Sequence, residues 1–565
     1  MHVSIVKGKT VEKGGGFLEI YRNVFVAIMR YGAPLLVCLL VLRCAAPMLT
    51  FQREGVLWGS LRRENGESLP IRYWENVIGR GKRCDIRLDF PTVSRNHAVL
   101  TRYDDGSWTV TDAESATGLT VNGEQVTIYP LSAGDIVGLG GVKLTFHPQT
   151  ESKAVPMQAN GWRSVANLVL LTLFQFCACI GFLLADPGHD REILLGFSGL
   201  AVLQWGLLTL YFLCGRRNFE VETLAFFLTT MGMAVICTVM PGETGKQLVS
   251  VALGLLVFMA LRWSMHSLER AKHIRYLAAV AGMGLLIVTL LFGEVYYGAK
   301  NWLIIGGISL QPSELAKVCF VFVGASTTER LLKKRNLILF IAYTVALCGL
   351  LALMNDFGTA LVFFVAFLII AYMRSGSVGT IALACTALLF AAVIGLKIAP
   401  HALRRLTTWR QIWQDPFGAG YQQTQALMCI ASGGLWGMGI GNGKMRHLFA
   451  ADSDMVFATV AEEWGLVLAV LCVLCVVLLS LFSLRCAKAC RSAFYAIGSC
   501  TAMGILLVQT IFNVLGTVDA LPLTGVTFPL LSNGGSSMTG VWGLLAFVKA
   551  ADQREGAVVK RRCHE

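Results

Sequence analysis

Asp452-Ser453-Asp454-Met455-Val456-Phe457-Ala458 is the seam where a long polar loop, running from about Pro400, gives way to a hydrophobic run that continues to about Leu484. A run of that length and apolarity reads as a membrane helix, so the seam places carboxylates at a membrane surface. An ionised group beside hydrocarbon is costly to keep, which makes Asp454 a candidate functional residue on physical grounds. The remainder of the chain agrees. Of 565 residues, 55% are hydrophobic and 15% charged, with a mean hydropathy of +0.61, and this excludes an ordinary soluble globule. The net charge of +13 is spread between apolar runs instead of being gathered in a patch. That distribution suits charge-directed membrane topology, and nucleic acid is not expected as a partner. Most of the 17 Cys lie singly in apolar segments, so neither a disulfide framework nor a metal site is expected, Cys486 and Cys490 included.

Upstream of the membrane region, residues 55–148 are rich in charge, Gly, Asp and Asn, with short alternating runs such as Ser107-Trp108-Thr109-Val110-Thr111 and turn signals at Asn122-Gly123 and Ala133-Gly134-Asp135. They read as a small all-β sandwich. Residues 149–162 read as a linker. Beyond it, apolar windows fall near 164–185, 193–214, 222–241, 247–263, 276–292, 303–326, 337–354, 357–373, 378–399, 456–484, 494–515 and 530–549, about twelve spans. Arg216-Arg217, Arg262 to Arg275, Arg330 to Arg335, Arg374, Arg485 to Arg491 and the tail Lys560-Arg561-Arg562 all fall on one side, which is expected to be the cytoplasm. The β domain and the C-terminus share that side, and the loop 400–454 faces outward. Within residues 1–54, the run Tyr31–Thr50 is either a thirteenth span, set against the charge rule by the Lys and Arg preceding it, or an interfacial helix.

The β domain carries Gly79-Arg80, Ser94-Arg95-Asn96-His97 and Asn122-Gly123. In these it resembles the forkhead-associated (FHA) domain, and the resemblance implies a reader of phosphothreonine peptides. A dianionic phosphate needs fixed cations and short donors, and Arg80, Ser94 and Arg95 supply both. His97 reads as a core residue and Asn122-Gly123 as a hairpin turn. The family usually presents an Asn to the peptide backbone where this chain has Thr117, a departure that leaves a structural docking module as the alternative.

Within the membrane region, Asn301-Trp302-Leu303-Ile304-Ile305-Gly306-Gly307 is followed by Gln311-Pro312-Ser313-Glu314-Leu315-Ala316-Lys317. Glu314 and Lys317 lie one turn apart on one helix face, as an ion pair fixing the bundle or as the lining of a polar cavity. Asn355-Asp356-Phe357-Gly358-Thr359 adds a second carboxylate. The outer loop supplies Arg404-Arg405, Asp415-Pro416-Phe417-Gly418 and a series of Gly, and Pro529-Leu530-Leu531-Ser532-Asn533-Gly534-Gly535-Ser536-Ser537 breaks the start of the last span. In order, these segments resemble the FtsW/RodA/SpoVE (SEDS) family from about Glu222 to Lys549.

The resemblance implies a SEDS-type core of ten spans in residues 222–565, with the pair in 163–221 as an addition. It further implies a bacterial peptidoglycan glycosyltransferase that polymerises lipid II at the outer face of the cytoplasmic membrane beside a class B penicillin-binding protein. Its catalytic carboxylate corresponds to Asp454, with Asp452 the nearby competitor. Asp356 is then a second, positioning acid, Arg404 and Arg405 candidate pyrophosphate ligands, and Glu314 and Lys317 cavity residues. Glu462 and Glu463 are expected to hydrate the following helix or pair with loop arginines. The chain departs from the family at Asn533, usually Tyr, and at Ala450-Ala451-Asp452-Ser453. No cofactor is demanded by the residues, and a divalent cation, Mg or Mn, at the pyrophosphate is compatible with the chemistry. A lipid II flippase and a non-catalytic scaffold remain the alternative readings. Division and elongation branches share every motif quoted.

Overall fold

A computed structural model of the chain describes residues 15–50, 57–149 apart from 74, 83, 104 and 105, 161–552 apart from 187, 297, 306, 307, 327–333, 376, 377, 399 and 491, and residue 554. Most of the linker, Gly306-Gly307 and the tail Lys560-Arg561-Arg562 lie outside the described residues.

Residues 59–148 form a sandwich. One sheet joins β1 (Gly59–Arg63), β2 (Ser68–Ile71), β7 (Leu119–Val121), β8 (Glu124–Val126), β10 (Ile136–Leu139) and β11 (Val142–Pro148) in the order β2-β1-β11-β10-β7-β8. The other joins β3 (Glu75–Gly79), β4 (Ile86–Arg87), β5 (Ala98–Arg102), β6 (Trp108–Asp112) and β9 (Ile128–Leu131) in the order β4-β3-β5-β6-β9. Alternation decides which side chains face inward: Trp108 and Val110 from β6 meet Leu144 and Phe146 from β11, with the Trp108 and Phe146 rings 5.4 Å apart edge to face. Asn122 and Gly123 both take positive φ, 53° and 93°, the backbone that a two-residue hairpin turn between β7 and β8 requires.

The remaining elements are α1 (Gly15–Thr50), α2 (Gly161–Ala185), α3 (Asp190–Leu213), α4 (Glu220–Val239), α5 (Thr244–Ser264), α6 (Leu268–Phe292), α7 (Pro312–Ser326), α8 (Lys334–Leu353), α9 (Phe357–Ser375), α10 (Val378–Ile398), α11 (Pro400–Thr408), α12 (Tyr421–Gly433), α13 (Val456–Glu463), α14 (Leu466–Ala489), α15 (Ala493–Thr517) and α16 (Gly535–Ala551). A small sheet, β12 (Glu294–Tyr296), β13 (Ala299–Ile305) and β14 (Ile308–Leu310), links α6 to α7. Among the described residues, nine helices are long and apolar enough to cross a membrane, and the apolar helix Ile338–Leu353 is shorter.

Three expected windows take a different form. The 303–326 run is two strands followed by α7, because Pro312 has no N–H to donate and starts a helix at its first position. The 456–484 run is broken into α13 and α14 at Gly465, whose φ of 90° no other residue adopts cheaply. In 530–549 the helix begins only at Gly535.

Tyr31–Thr50 belongs to α1, which packs along α2, α4 and α14. Its first half meets Trp436, in the segment between α12 and α13, through Tyr31, the rings 5.5 Å apart. Its second half places Arg43, whose Nε donates to Asn167 Oδ1 at 2.9 Å, so this charge is satisfied inside the bundle. Three polar side chains weld the added α2 and α3 to α4: Gln175 donates to Gln204 Oε1 at 3.0 Å and to Thr230 Oγ1 at 2.9 Å.

The two ends of α15 orient the molecule. At its N-terminus, Ser492 Oγ and the Ala493 N–H donate to Glu75 Oε2 of the β sandwich at 3.5 and 3.4 Å. At its C-terminal end, Asn513 and Thr517 donate to the main-chain oxygen of Asp454 at 3.0 and 3.5 Å. A helix of 25 residues is about 37 Å long, so sandwich and carboxylate stand at opposite ends of the bundle.

Candidate active site

Asp454 closes the turn that leads into α13, and the turn is fastened to the segment between α15 and α16. Thr524 O accepts from Arg405 Nη1 of α11 at 3.1 Å, and Val526 O accepts from Asn513 Nδ2 at 3.0 Å. Between them sits Gly525, with a φ of 69°; a Cβ there would lie 3.4 Å from Asp454 Oδ2 and 3.8 Å from Arg405 Nη1. Glycine thus leaves open the space on which the carboxylate and the guanidinium converge. Asp454 is half-buried, and desolvation pushes its carboxyl up to about 6, with Arg405 pulling down and Asp452 adding to the rise. Asp452 is tied instead to Asn533, whose Nδ2 donates to its Oδ2 at 2.8 Å. The side chain of Arg404 lies outside the described ones; its backbone is in α11.

Asp356 sits just before α9, whose first turn abuts the same strip where Gly358 meets Thr524 O. Both its carboxylate oxygens are engaged: Oδ1 caps α9 through the Thr359 N–H at 3.1 Å, and Oδ2 accepts from Asn301 Nδ2 of β13 at 3.0 Å. This arrangement fixes the small sheet to α9. Glu314 and Lys317 are both buried in α7 and form an ion pair at 2.7 Å, i to i+3.

Glu462 and Glu463 do not hydrate a helix face; both are buried. Glu462 accepts from the Lys444 and Met445 N–H groups at 3.0 and 2.8 Å, and Glu463 from the Gly441 N–H at 3.2 Å and Thr238 Oγ1 at 2.8 Å. Burial pushes Glu463 up to about 7, against the pull of those donors. Two adjacent acids ending an apolar run were the available signal that backbone amides would gather there.

A further cluster at the sandwich end escaped the sequence reading. Lys549 Nζ lies 3.4 Å from Glu222 and 3.6 Å from Asp552, and Arg554 lies 2.7 Å from Asp552 and 3.3 Å from Glu220. Charged residues at both edges of apolar windows were the trace it left.

In the sandwich, the Arg80 N–H donates to Ser94 O at 2.9 Å and the Ala116 N–H to Ser94 Oγ at 2.9 Å, while Thr117 Oγ1 donates to Thr92 O at 3.4 Å. Arg80, Ser94, Arg95 and Thr117 therefore occupy neighbouring loops at one end. His97, fully buried, accepts from the Ser94 N–H through Nδ1 at 3.2 Å, which leaves Nε2 to donate to Gly118 O at 3.0 Å. Glu75 is at the other end of β3, about 13 Å away, so the loops carrying Arg80, Ser94 and Arg95 lie at the end of the strand away from the contact with α15.

Fold and site together define a multi-pass helical membrane protein with a desolvated carboxylate and an arginine at one end and a loop-presenting β sandwich at the other. The FtsW/RodA/SpoVE family model, described as a cell cycle protein, matches residues 222–556, and the FHA domain model matches residues 76–140. The chain belongs to the FtsW/RodA/SpoVE family and carries an FHA domain. It is 34% identical to the "Probable peptidoglycan glycosyltransferase FtsW" of Tolumonas auensis, over 50% of this chain and 77% of the relative. It is 28% identical to the "Peptidoglycan glycosyltransferase RodA" of Mycobacterium bovis, over 54% of this chain and 69% of the relative. A solved structure described as "Structural coordination of polymerization and crosslinking by a peptidoglycan synthase complex" superposes with a TM-score of 0.51 at 25% identity, covering 60% of this chain and 98% of its own.

Proposed function

We propose that the chain is a peptidoglycan glycosyltransferase that polymerises lipid II at the outer face of a bacterial cytoplasmic membrane. The observation that carries this reading is the desolvated Asp454 carboxyl converging with Arg405 on Gly525. Glycan extension needs a base for the acceptor 4-hydroxyl and cations for a departing lipid pyrophosphate. Asp454 takes the hydroxyl proton as the oxygen bonds to the donor anomeric carbon. The carbon–oxygen bond to pyrophosphate breaks, and the leaving group departs with the electron pair, its charge met by Arg405 and by Arg404 on the same helix. Asp356 positions the small sheet on α9 and accepts no proton in this scheme. Glu314 and Lys317 neutralise one another and shape the interior.

Among the described residues, no group of three or more His, Cys, Asp or Glu side chains could hold a metal ion. A divalent cation at the pyrophosphate would supply charge neutralisation there, and the steps above are carried by the side chains named. The names of the relatives support a peptidoglycan role, and the synthase complex supports a class B penicillin-binding protein as the crosslinking partner. The sandwich, with the C-terminus, lies on the cytoplasmic side, the side to which Arg216-Arg217 and Arg485 to Arg491 assign this end. There Arg80, Ser94 and Arg95 receive the phosphate of a phosphothreonine protein, and Thr117 takes the place of the usual Asn beside its backbone.

The test is glycan formation from lipid II by the detergent-purified full chain with its partner, where no sidedness exists. The wild type forms strands and Asp454→Asn forms at least a hundredfold fewer. Strands from Asp454→Asn at the wild-type rate would remove the polymerase reading, and no strands from the wild type with any partner would favour transport.

A further inference from the structure

Three consecutive carbonyls of the acid-bearing turn are each held by a separate donor. The Asn533 N–H donates to Asp452 O at 2.7 Å, Ser532 Oγ to Ser453 O at 2.7 Å, and Asn513 Nδ2 to Asp454 O at 3.0 Å. None of these donors belongs to the turn: α15 supplies Asn513, and the irregular segment before α16 supplies the other two. Each is braced in turn. The second hydrogen of the Asn513 amide goes to Val526 O at 3.0 Å, Ser532 Oγ accepts from the Phe528 N–H at 2.9 Å, and Asn533 Nδ2 donates to Asp452 Oδ2 at 2.8 Å. Asn513 and Ser532 are each only 2% exposed, so these bonds are shielded from competing water.

The geometry has a direct consequence for the carboxylate. A peptide unit is planar, and the planes carrying Ser453 O and Asp454 O are the two that flank the Asp454 Cα. Holding both fixes the backbone dihedrals of Asp454 and with them the direction of its Cα–Cβ bond. Ser532 and Asn533 also give a role to the Ser-Asn-Gly-Gly-Ser-Ser break. A helix through that position would spend the Asn533 N–H on its own ladder; delaying α16 to Gly535 leaves it free to bind Asp452 O.

We propose that Asn513, Ser532 and Asn533 are positioning residues, a three-point clamp on the main chain that aims Asp454 at the acceptor hydroxyl. This rests on the polymerase reading, in which Asp454 is the base. A misplacement of about 1 Å at a reacting group can cost on the order of a hundredfold in rate, so the clamp acts on turnover and leaves substrate binding alone.

The experiment measures lipid II polymerisation by the full chain with its partner against lipid II concentration, well below the unfolding temperature, for Asn513→Leu, Ser532→Ala and Ser532→Thr. Asn513→Leu and Ser532→Ala should lower kcat at least tenfold with KM within about twofold, and Ser532→Thr, which keeps the hydroxyl, should retain at least half the wild-type kcat. Unchanged kcat in the first two, a loss confined to KM, or a Ser532→Thr loss equal to that of Ser532→Ala would overturn the clamp. Asp454→Asn is measured alongside. Full activity there defeats the underlying reading, whereas an inactive Asp454→Asn beside fully active clamp variants defeats the clamp alone.

Discussion

Asp454 sits between two charges of opposite sign, and this gives its chemistry a pH signature. A general base acts as its carboxylate, so with burial pushing the group up to about 6 the rate should fall about tenfold per pH unit below that point and level off above it. The neighbours shift the limb in opposite directions. Arg405→Gln removes the charge that favours the ionised form and should move the acid limb to higher pH; Asp452→Asn removes a like charge and should move it lower, while its amide oxygen still accepts from Asn533. Initial rates across pH 4.5 to 8 at saturating lipid II would check both signs, and shifts in the same direction would show that the two charges do not act on Asp454 as placed here. Asp454 and Asp356 stand out in the sequence as charges at the edges of apolar runs, and Arg404 and Arg405 as cations of the loop between them. The sequence hid Asn513, one neutral polar residue inside such a run, since its value lies in which carbonyls it faces, and spacing does not carry that information.

Apolar length revealed most of the helices, but it is blind to where a run changes direction. Leu303-Ile304-Ile305 is as apolar in a strand as in a helix, and only Pro312 marks the boundary. The α13–α14 break is a second case: Gly465, at a φ of 90°, lies against the backbone at Leu435 and Gly437, so a side chain there meets both strain and a clash. Gly465→Ala should destabilise the protein by at least about 2 kcal/mol, read as a lowered unfolding temperature in detergent. Glu462→Leu strips the Lys444 and Met445 N–H groups of their acceptor and should cost about 2–4 kcal/mol by the same measurement, because each orphaned buried donor carries its own desolvation penalty. A variant as stable as the wild type would mean that the Gly437–Met445 loop finds other acceptors. The two elements thus fail for different reasons, one through backbone strain and the other through unpaired amides.

At the scale of the whole molecule the two ends of the bundle are closed by different chemistry. The Asp454 end is fastened by hydrogen bonds to the main chain around that residue, and the sandwich end by a buried charge cluster. Burial alone would raise Asp552, but Arg554 and Lys549 hold it down at about 2, against an ordinary 3.8. Because the folded value is the lower one, Asp552 contributes stability that is present above pH 3.8 and lost as pH falls through about 2. Asp552→Ala removes the two-pronged partner of Arg554, held at 2.8 and 2.7 Å, and leaves Arg554 and Lys549 to Glu220 and Glu222; it should cost about 2–3 kcal/mol near neutrality, a loss that shrinks as pH approaches 2. The FHA domain rests on this same end through Glu75 at the first turn of α15, with the loops carrying Arg80, Ser94 and Arg95 at the opposite end of β3. Docking and the proposed phosphopeptide recognition therefore fall on separate surfaces, and Glu75→Ala should separate them. Hydrogen exchange of the Ala493 amide, which loses its acceptor, should quicken, while a phosphothreonine peptide should bind the full chain with affinity unchanged within about twofold. A matching fall in peptide affinity would instead show that the contact with α15 shapes the distant loops, joining the sandwich to the helix whose far end holds Asp454.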